Sequence, residues 1–344
     1  MSGKRQHSIP QFLLEGFASH KVGDAIFTWV YRKDKPPFNP NIINVGAEGY
    51  FYTQEQDTLV DDLITKAEGP LSVLVEELRN STPGEISDPR VPALIAHLEF
   101  RTRHFRQTVM ETGGYFISRF FDFMADQDVF IRYLERKFQN DPSLIRKSLS
   151  EGFLKEGIAQ SMLEPMIKIA TPLIPMSMAQ LRPMLPIMAA ELRRVLLKKL
   201  PEMAKSGHIK ALKQTTPPEI RIQRYEELAY SILLVEDDSL ILGDSAVLFH
   251  VEGPKPYKVL LDKDDGLRGV LLPLGPHTLL VGSYGGLAPS VSDLRQALAR
   301  CSLEYFIAHE NSDENNLLRE QIGEDAHLLT KEQMEEIIVE IMNE

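Results

Sequence analysis

The chain reads as an α+β fold, helix-rich in its central region, with antiparallel strands from the N-terminal and C-terminal parts placed to join one shared sheet. Three patterns carry that expectation. Between Thr58 and Asn80, Leu59, Leu63, Ala67, Leu71, Leu74 and Leu78 recur at helical spacing. Beyond Pro217-Pro218, short segments rich in apolar and branched residues alternate with turns, as an antiparallel meander does. Near the N-terminus, Ala25 to Tyr31 has the β-branched and aromatic content of a strand.

The elements follow in order. Residues 7 to 17 spell H-x-x-P-x-x-x-L-x-x-F from His7 to Phe17. Pro10 biases Ile9 toward an extended conformation and suits the first turn of a helix, so Phe12, Leu13, Leu14 and Phe17 should dock on a core with His7 held beside it. Ala25 to Tyr31 is expected to pair with Asn41 to Gly46 as a hairpin across the turn-rich Lys33 to Pro40. The helix at 58–80 has Asp57 placed to cap it, Asp61 and Asp62 in the favourable first turn, and Gly69-Pro70 as a kink or break. A second helix should run from about Pro92 to Thr112 and stop at Gly113-Gly114, followed by helices over Tyr115 to Met124, Val129 to Gln139 and Pro142 to Lys155.

Met162 to Met203 holds seven of the twelve methionines and six prolines, which predicts short amphipathic helices packed in the core; a membrane-surface or partner-binding face is the alternative. Lys168, Arg182 and the prolines exclude a membrane span there. Strands are expected at Tyr230 to Val235, Leu240 to Leu242, Ala246 to Val251, Lys258 to Leu261, Val270 to Leu272 and Thr278 to Val281, with a turn at Asp237-Asp238. A helix at Ser292 to Ala299, a strand at Glu304 to Ala308 and two acidic helices, Asp313 to Ile322 and Lys331 to Met342, finish the chain. The domain expectation is a hairpin plus helical region at 1–216, a β-rich region at 217–310 packed on it, and an acidic helical tail at 311–344.

Charge is unevenly spread. The net charge of -11 falls mostly on residues 310–344, where eleven acidic residues face only Arg319 and Lys331. Conversely, residues 192–214 hold seven basic residues against Glu202 alone. Arg193, Arg194, Lys198 and Lys199 are the candidates for a nucleic-acid backbone, and the acidic tail is a candidate for self-association. The lone Cys301 excludes an internal disulfide, and neither an apolar secretory start nor a membrane span is expected, so the expected compartment is the cytoplasm.

The string at His7 resembles the opening of the bacterial family known as domain of unknown function 4238. Ala47-Glu48-Gly49-Tyr50-Phe51-Tyr52 resembles the family's acidic residue before an aromatic pair, and Glu68 stands where the family carries an acid on its first long helix. Arg101-Thr102-Arg103-His104-Phe105-Arg106 is similar to its R-T-P-x-x-R, with Arg103 replacing the proline. Gly243-Asp244-Ser245-Ala246-Val247 resembles its S-D-N-P-V turn without the asparagine and proline. The resemblance supplies positions but no activity.

Those positions define a dispersed set: His7, Glu48, Glu68, Arg101 and Asp244. Hard carboxylate oxygens suit Mg²⁺ or Mn²⁺, so Glu48, Glu68 and Asp244 are the candidate metal ligands. Arg101 is the candidate phosphate fork, and His7 the candidate proton carrier. His97, Arg101 and His104 stand at i, i+4 and i+7, which on one helix places two histidines and an arginine on one face, as metal-independent phosphoester cleavage uses them. A structural network of the same carboxylates and arginines is the competing reading. The expected activity is that of a metal-dependent nuclease or phosphoester hydrolase of defence or toxin type. The alternative is a non-catalytic interaction module built from the methionine-rich helices and the acidic tail.

Overall fold

Strands from the two ends of the sequence share a sheet in the computed structural model, which describes residues 5–49, 59–215, 219–236, 239–262, 264–285, 290–326 and 331–343. Tyr305–Ala308 lies antiparallel to Trp29–Arg32, with Phe306 opposite Tyr31 and Ile307 opposite Val30, and its other edge pairs with Leu242–Gly243. The Tyr31 and Phe306 rings stack at 4.9 Å. Asp57, the Tyr50, Phe51 and Tyr52 segment, and the Asp237-Asp238 turn lie outside the described residues.

The expected N-terminal hairpin is built differently. Trp29–Arg32 pairs with Lys35–Phe38, the stretch read as a turn, while 41–46 contains the 3-10 turn Ile42–Asn44. Pro36 and Pro37 argue against a strand only where both edges are paired; Lys35–Phe38 is the outermost strand of its four-stranded sheet, where a missing N–H costs nothing.

The meander forms most of a six-stranded antiparallel sheet. Its order is Tyr257–Lys258, Leu248–Val251, Leu267–Gly275, Thr278–Ser283, Ala229–Leu234 and Gly84–Ile86. Leu242–Gly243, expected within the meander, has crossed to the other sheet. Leu267–Gly275 is buried on both faces: Leu272 and Leu274 enter one hydrophobic cluster with Leu13, Phe17 and Leu74, and Leu271 enters another with Tyr31, Leu298 and Phe306. Such a strand shows an apolar run, without alternation.

The chain divides into two compact units: one comprises Met1–Met110 and Glu202–Glu335, the other Glu111–Pro201 and Glu336–Glu344. In the first unit, the Leu59–Arg79 helix is continuous through Pro70, and its buried face begins with Val60 and Ile64, with Leu59 turned outward. Residues 311–326 join this unit's core through Leu318 and Ile322, with Arg295 on Glu314 and Arg300 on Glu324 and Asp325. Glu314, Glu324 and Asp325 are thereby matched by arginines. In the second unit, Phe121, Met124, Leu185 and Ala189 form a separate cluster. Gly113 and Gly114 do not stop a helix: Arg103–Ala125 runs through them, and a Cβ at Gly113 would come within 3.1 Å of Leu200. Their small size serves close helix packing.

The N-terminal helix Gln11–Glu15 is fastened by one arginine. Arg79 donates to the carbonyl oxygens of Phe12 at 2.7 Å, Leu13 at 3.2 Å and Leu274 at 2.6 Å, tying the helix to the Leu267–Gly275 strand. Burial holds its guanidinium below the ordinary pKa. Gly16 leaves room for this contact, since a Cβ there would stand 2.2 Å from the Leu274 oxygen and 2.3 Å from Arg79 Nη2. Gly16→Ala is therefore expected to destabilise the fold by about 1–3 kcal/mol in urea denaturation, the usual range for overpacking, with Gly69→Ala, inside a helix and in open space, as the control that does not destabilise.

Candidate active site

The site begins at a helix break. Val91–Arg101 ends because Thr102 is extended (φ -72, ψ 154), and a new helix starts at Arg103. The Thr102 hydroxyl turns back to the Glu99 carbonyl at 3.5 Å, taking up an acceptor at the helix end. The single helix expected from Pro92 to Thr112 is thus two, and the shared face of His97, Arg101 and His104 is divided. His97 stays beside Arg101, its Nε2 3.3 Å from Nη1. His104 leaves, donating from Nε2 to the Cys301 carbonyl at 2.9 Å, with Asp244 Oδ1 at 3.8 Å.

Arg101 is buried and joins three segments. Its Nη1 pairs with Glu68 on the Leu59–Arg79 helix, and its Nη2 donates to the His7 carbonyl at 2.7 Å. Asp61 stands nearby, its carboxyl raised by burial and by the charges of Asp62 and Glu68, and drawn down by a hydrogen bond from Gln6 and by Arg101. Burial and the adjacent guanidinium lower His97 to about 3, so its ring is neutral. Arg101 is consumed by protein partners and does not present a free fork.

His7 meets this network through its backbone, while its ring points elsewhere. Nδ1 donates to the Val45 carbonyl at 3.0 Å, and Nε2 accepts from the Gln11 amide at 3.0 Å in an exposed position. The first bond fixes the tautomer. Arg5–His7 pairs antiparallel with Ala47–Gly49, placing Gln6 opposite Glu48 and His7 opposite Ala47.

Glu48 is the centre of a second charged group. Arg106 Nη1 lies 3.1 Å from its Oε1 and Arg103 Nη2 3.5 Å from its Oε2, while the other Arg103 branch reaches Glu304 at 2.5 Å. Lys205 adds a third cation, its pKa lowered by burial and by Arg106 and held up by Glu48. His208, on the same helix, is lowered by burial to about 4 and donates to the Phe100 carbonyl at 2.9 Å.

The three expected metal ligands have other engagements. Glu48 and Glu68 face arginines, and Asp244 accepts backbone N–H bonds from Leu303 at 2.8 Å, Glu304 at 2.7 Å and Tyr305 at 3.3 Å. Asp244 is a buried turn anchor. Among the described residues, no group of three or more His, Cys, Asp or Glu is arranged to hold a metal ion. Two cavities of about 450 and 420 Å³ lie elsewhere, around Lys255, Tyr257 and Asp325 and around Arg295, Glu314 and Leu317.

Several residues of this region carry no sequence-level motif. Gln6, Asp61, Arg106, Lys205 and His208 are recruited by tertiary packing; Arg106 had a signal as the final arginine of the R-T-x-x-x-R string, Asp61 as a first-turn acid and Lys205 as part of the basic stretch 192–214. Glu99 is likewise hidden: wholly buried, it accepts from the Tyr225 hydroxyl at 2.7 Å and the Leu261 N–H at 3.2 Å, with Arg221 at 3.4 Å. Burial raises its carboxyl.

Residues 5–318 match the family described as Protein of unknown function (DUF4238), and the chain belongs to that family. No curated protein and no solved structure gives a significant match.

The neutral histidines predict an acid limit to stability. His97 and His208 have folded pKa values below the 6.5 of an unfolded histidine, so as pH falls below about 6.5 the unfolded chain takes up protons that the fold refuses. Their stabilising effect is complete above 6.5 and is lost progressively toward 4 and 3. Urea denaturation between pH 6.5 and 4 should show a slope about 1.4 kcal/mol per pH unit shallower in His97→Asn than in the parent; equal slopes would place the His97 proton elsewhere.

Proposed function

We propose that the chain binds and cleaves phosphoesters of the nucleotide or nucleic-acid class at the edge of the Arg5–His7 and Ala47–Gly49 ribbon. One observation carries the reading: Arg103, Arg106 and Lys205 gather around the half-exposed Glu48, on the strand that pairs with the one carrying His7. Three cations at one partly open position in a chain of net charge -11 favour an anionic ligand. A phosphate takes the Arg103 and Arg106 forks in place of Glu48, which holds them apart in its absence.

His7 is oriented for proton transfer. Its Nδ1–H rests on the Val45 carbonyl, and its Nε2 lone pair faces the displaceable Gln11 amide at the solvent edge. There Nε2 takes the proton of the attacking water or hydroxyl as the new P–O bond forms, and the leaving oxygen departs with the electron pair of its P–O bond and takes a proton from solvent water. The arginines hold the charge on the non-bridging oxygens. Glu68, His97 and Arg101 are positioning residues, fixing the His7 strand from beneath.

The test is incubation with RNA, DNA and nucleotides, with and without Mg²⁺, Mn²⁺ or chelator. Turnover is expected without added metal, about a hundredfold lower in His7→Gln, with phosphate affinity about tenfold or more weaker in Arg106→Ala; circular dichroism confirms that both variants fold. Absence of turnover on every substrate, or activity unchanged in folded His7→Gln, overturns the proposal. Turnover that requires Mn²⁺ and survives Arg106→Ala contradicts the roles assigned here.

A further inference from the structure

The methionine-rich stretch of the second unit is a structural repeat. A three-residue 3-10 turn followed by an eight-residue helix occurs at Gln160–Met162 with Leu163–Ala170, and again at Thr171–Leu173 with Ile174–Leu181. Arg182–Met184 starts a third copy, which runs on into Leu185–Thr215. The sequences TPLIPMSMAQL and RPMLPIMAAEL, at 171–181 and 182–192, show the same period, with prolines in matching places. An eleven-residue period spans three helical turns and returns each position to one face.

The repeat carries two apolar faces. At its fourth position, Leu163, Ile174, Leu185 and Leu196 are buried or half-buried, as are Ile167, Met178, Ala189 and Leu200 at its eighth. Those residues supply the inward side expected of the stretch. At the third position, however, Met162, Leu173, Met184 and Val195 are all exposed, the first three at 51, 46 and 53%. Met176 and Ile187, matched at the sixth, are exposed at 56 and 73%. The expectation that this stretch lies in the core therefore holds for one face only. An outward apolar row repeated four times calls for a covering surface.

Charge selects the cover. Residues 158–200 contain six basic residues and only Glu164 and Glu191 as acids, so they carry +4 within an acidic chain. Both acids are already paired with arginines, Glu164 with Arg146 and Glu191 with Arg194. Arg182 and Arg193 face Asp128 and Asp122, while Lys168, Lys198 and Lys199 are exposed. Lys198 and Lys199 stand eleven residues after Ile187 and Met188, extending the outer face with cations. A surface of lipid phosphates matches those exposed lysines. We infer that the 160–199 repeat docks in the plane of an anionic phospholipid surface, its exposed methionines, leucines and isoleucine entering the acyl boundary and its lysines meeting the headgroups. Among the described residues no helix is long and apolar enough to cross a membrane, so the contact lies along the surface.

The experiment is co-sedimentation of the full chain with vesicles of phosphatidylcholine alone or with one-third phosphatidylglycerol, beside light scattering without lipid. The full chain should sediment with the anionic vesicles, more weakly at high salt, and stay in solution with phosphatidylcholine alone. Met184→Glu with Ile187→Glu should lower the bound fraction about tenfold, while Leu317→Glu, an exposed apolar site in the other unit, should not change it. A full chain that ignores anionic vesicles, or binds them equally with the double substitution, overturns the inference. So does a dimer that the double substitution dissolves, which would make a second copy the cover.

Discussion

A guanidinium removed from water is tolerated only when its donors are matched, and Arg101 meets that constraint by drawing three parts of the chain together. Glu68 supplies the counter-charge, His7 a backbone carbonyl, and His97 an uncharged ring at the same branch. Removing one side of such a pair leaves the other uncompensated, at a typical cost of about 3–5 kcal/mol. The position of the N-terminal strand is therefore bound to the last turn of Val91–Arg101. Arg79 repeats the device one element later, fastening Gln11–Glu15 to Leu267–Gly275 through carbonyl oxygens alone.

These anchors produce the asymmetry of the site. With Arg101 on its carbonyl, the His7 strand is held by its backbone, while its half-exposed imidazole bonds the Val45 carbonyl and the Gln11 amide. The break at Thr102 then starts the helix that brings Arg103 and Arg106 to Glu48 on the paired strand. Buried charge positions the strand, and half-exposed charge is available to a ligand. The carboxylates that looked like metal ligands are, in the fold, the counter-ions and turn anchor of this arrangement.

Much of this was legible from local pattern. The apolar residues after Pro10 dictate burial of the N-terminal helix, and Leu13, Leu14 and Phe17 are wholly buried. Strong strand formers mark strands at both ends, but that they pair in one sheet is fixed only by tertiary packing. Edge context was not legible: Pro36 and Pro37 look like a turn until the strand is known to be outermost. Nor was glycine's purpose, since Gly113-Gly114 has the form of a helix stop and acts as a packing notch. Asp244 and His104 were read as chemistry because their residue types allow it, while their partners, backbone N–H and C=O groups, leave no trace in sequence. The eleven-residue repeat was hidden by its prolines, which suggest interruption yet sit in successive first turns where their missing N–H is tolerated.

The central claim is that Arg101 holds the His7 strand. Hydrogen exchange at the amides of residues 6–9 measures it directly, comparing the parent with Arg101→Lys, which keeps the charge and loses the two-branched geometry. Exchange there should accelerate about tenfold or more, while the Leu267–Gly275 strand keeps its protection. Unchanged exchange at 6–9 in the folded variant would show that the strand is held without Arg101 and would contradict the account.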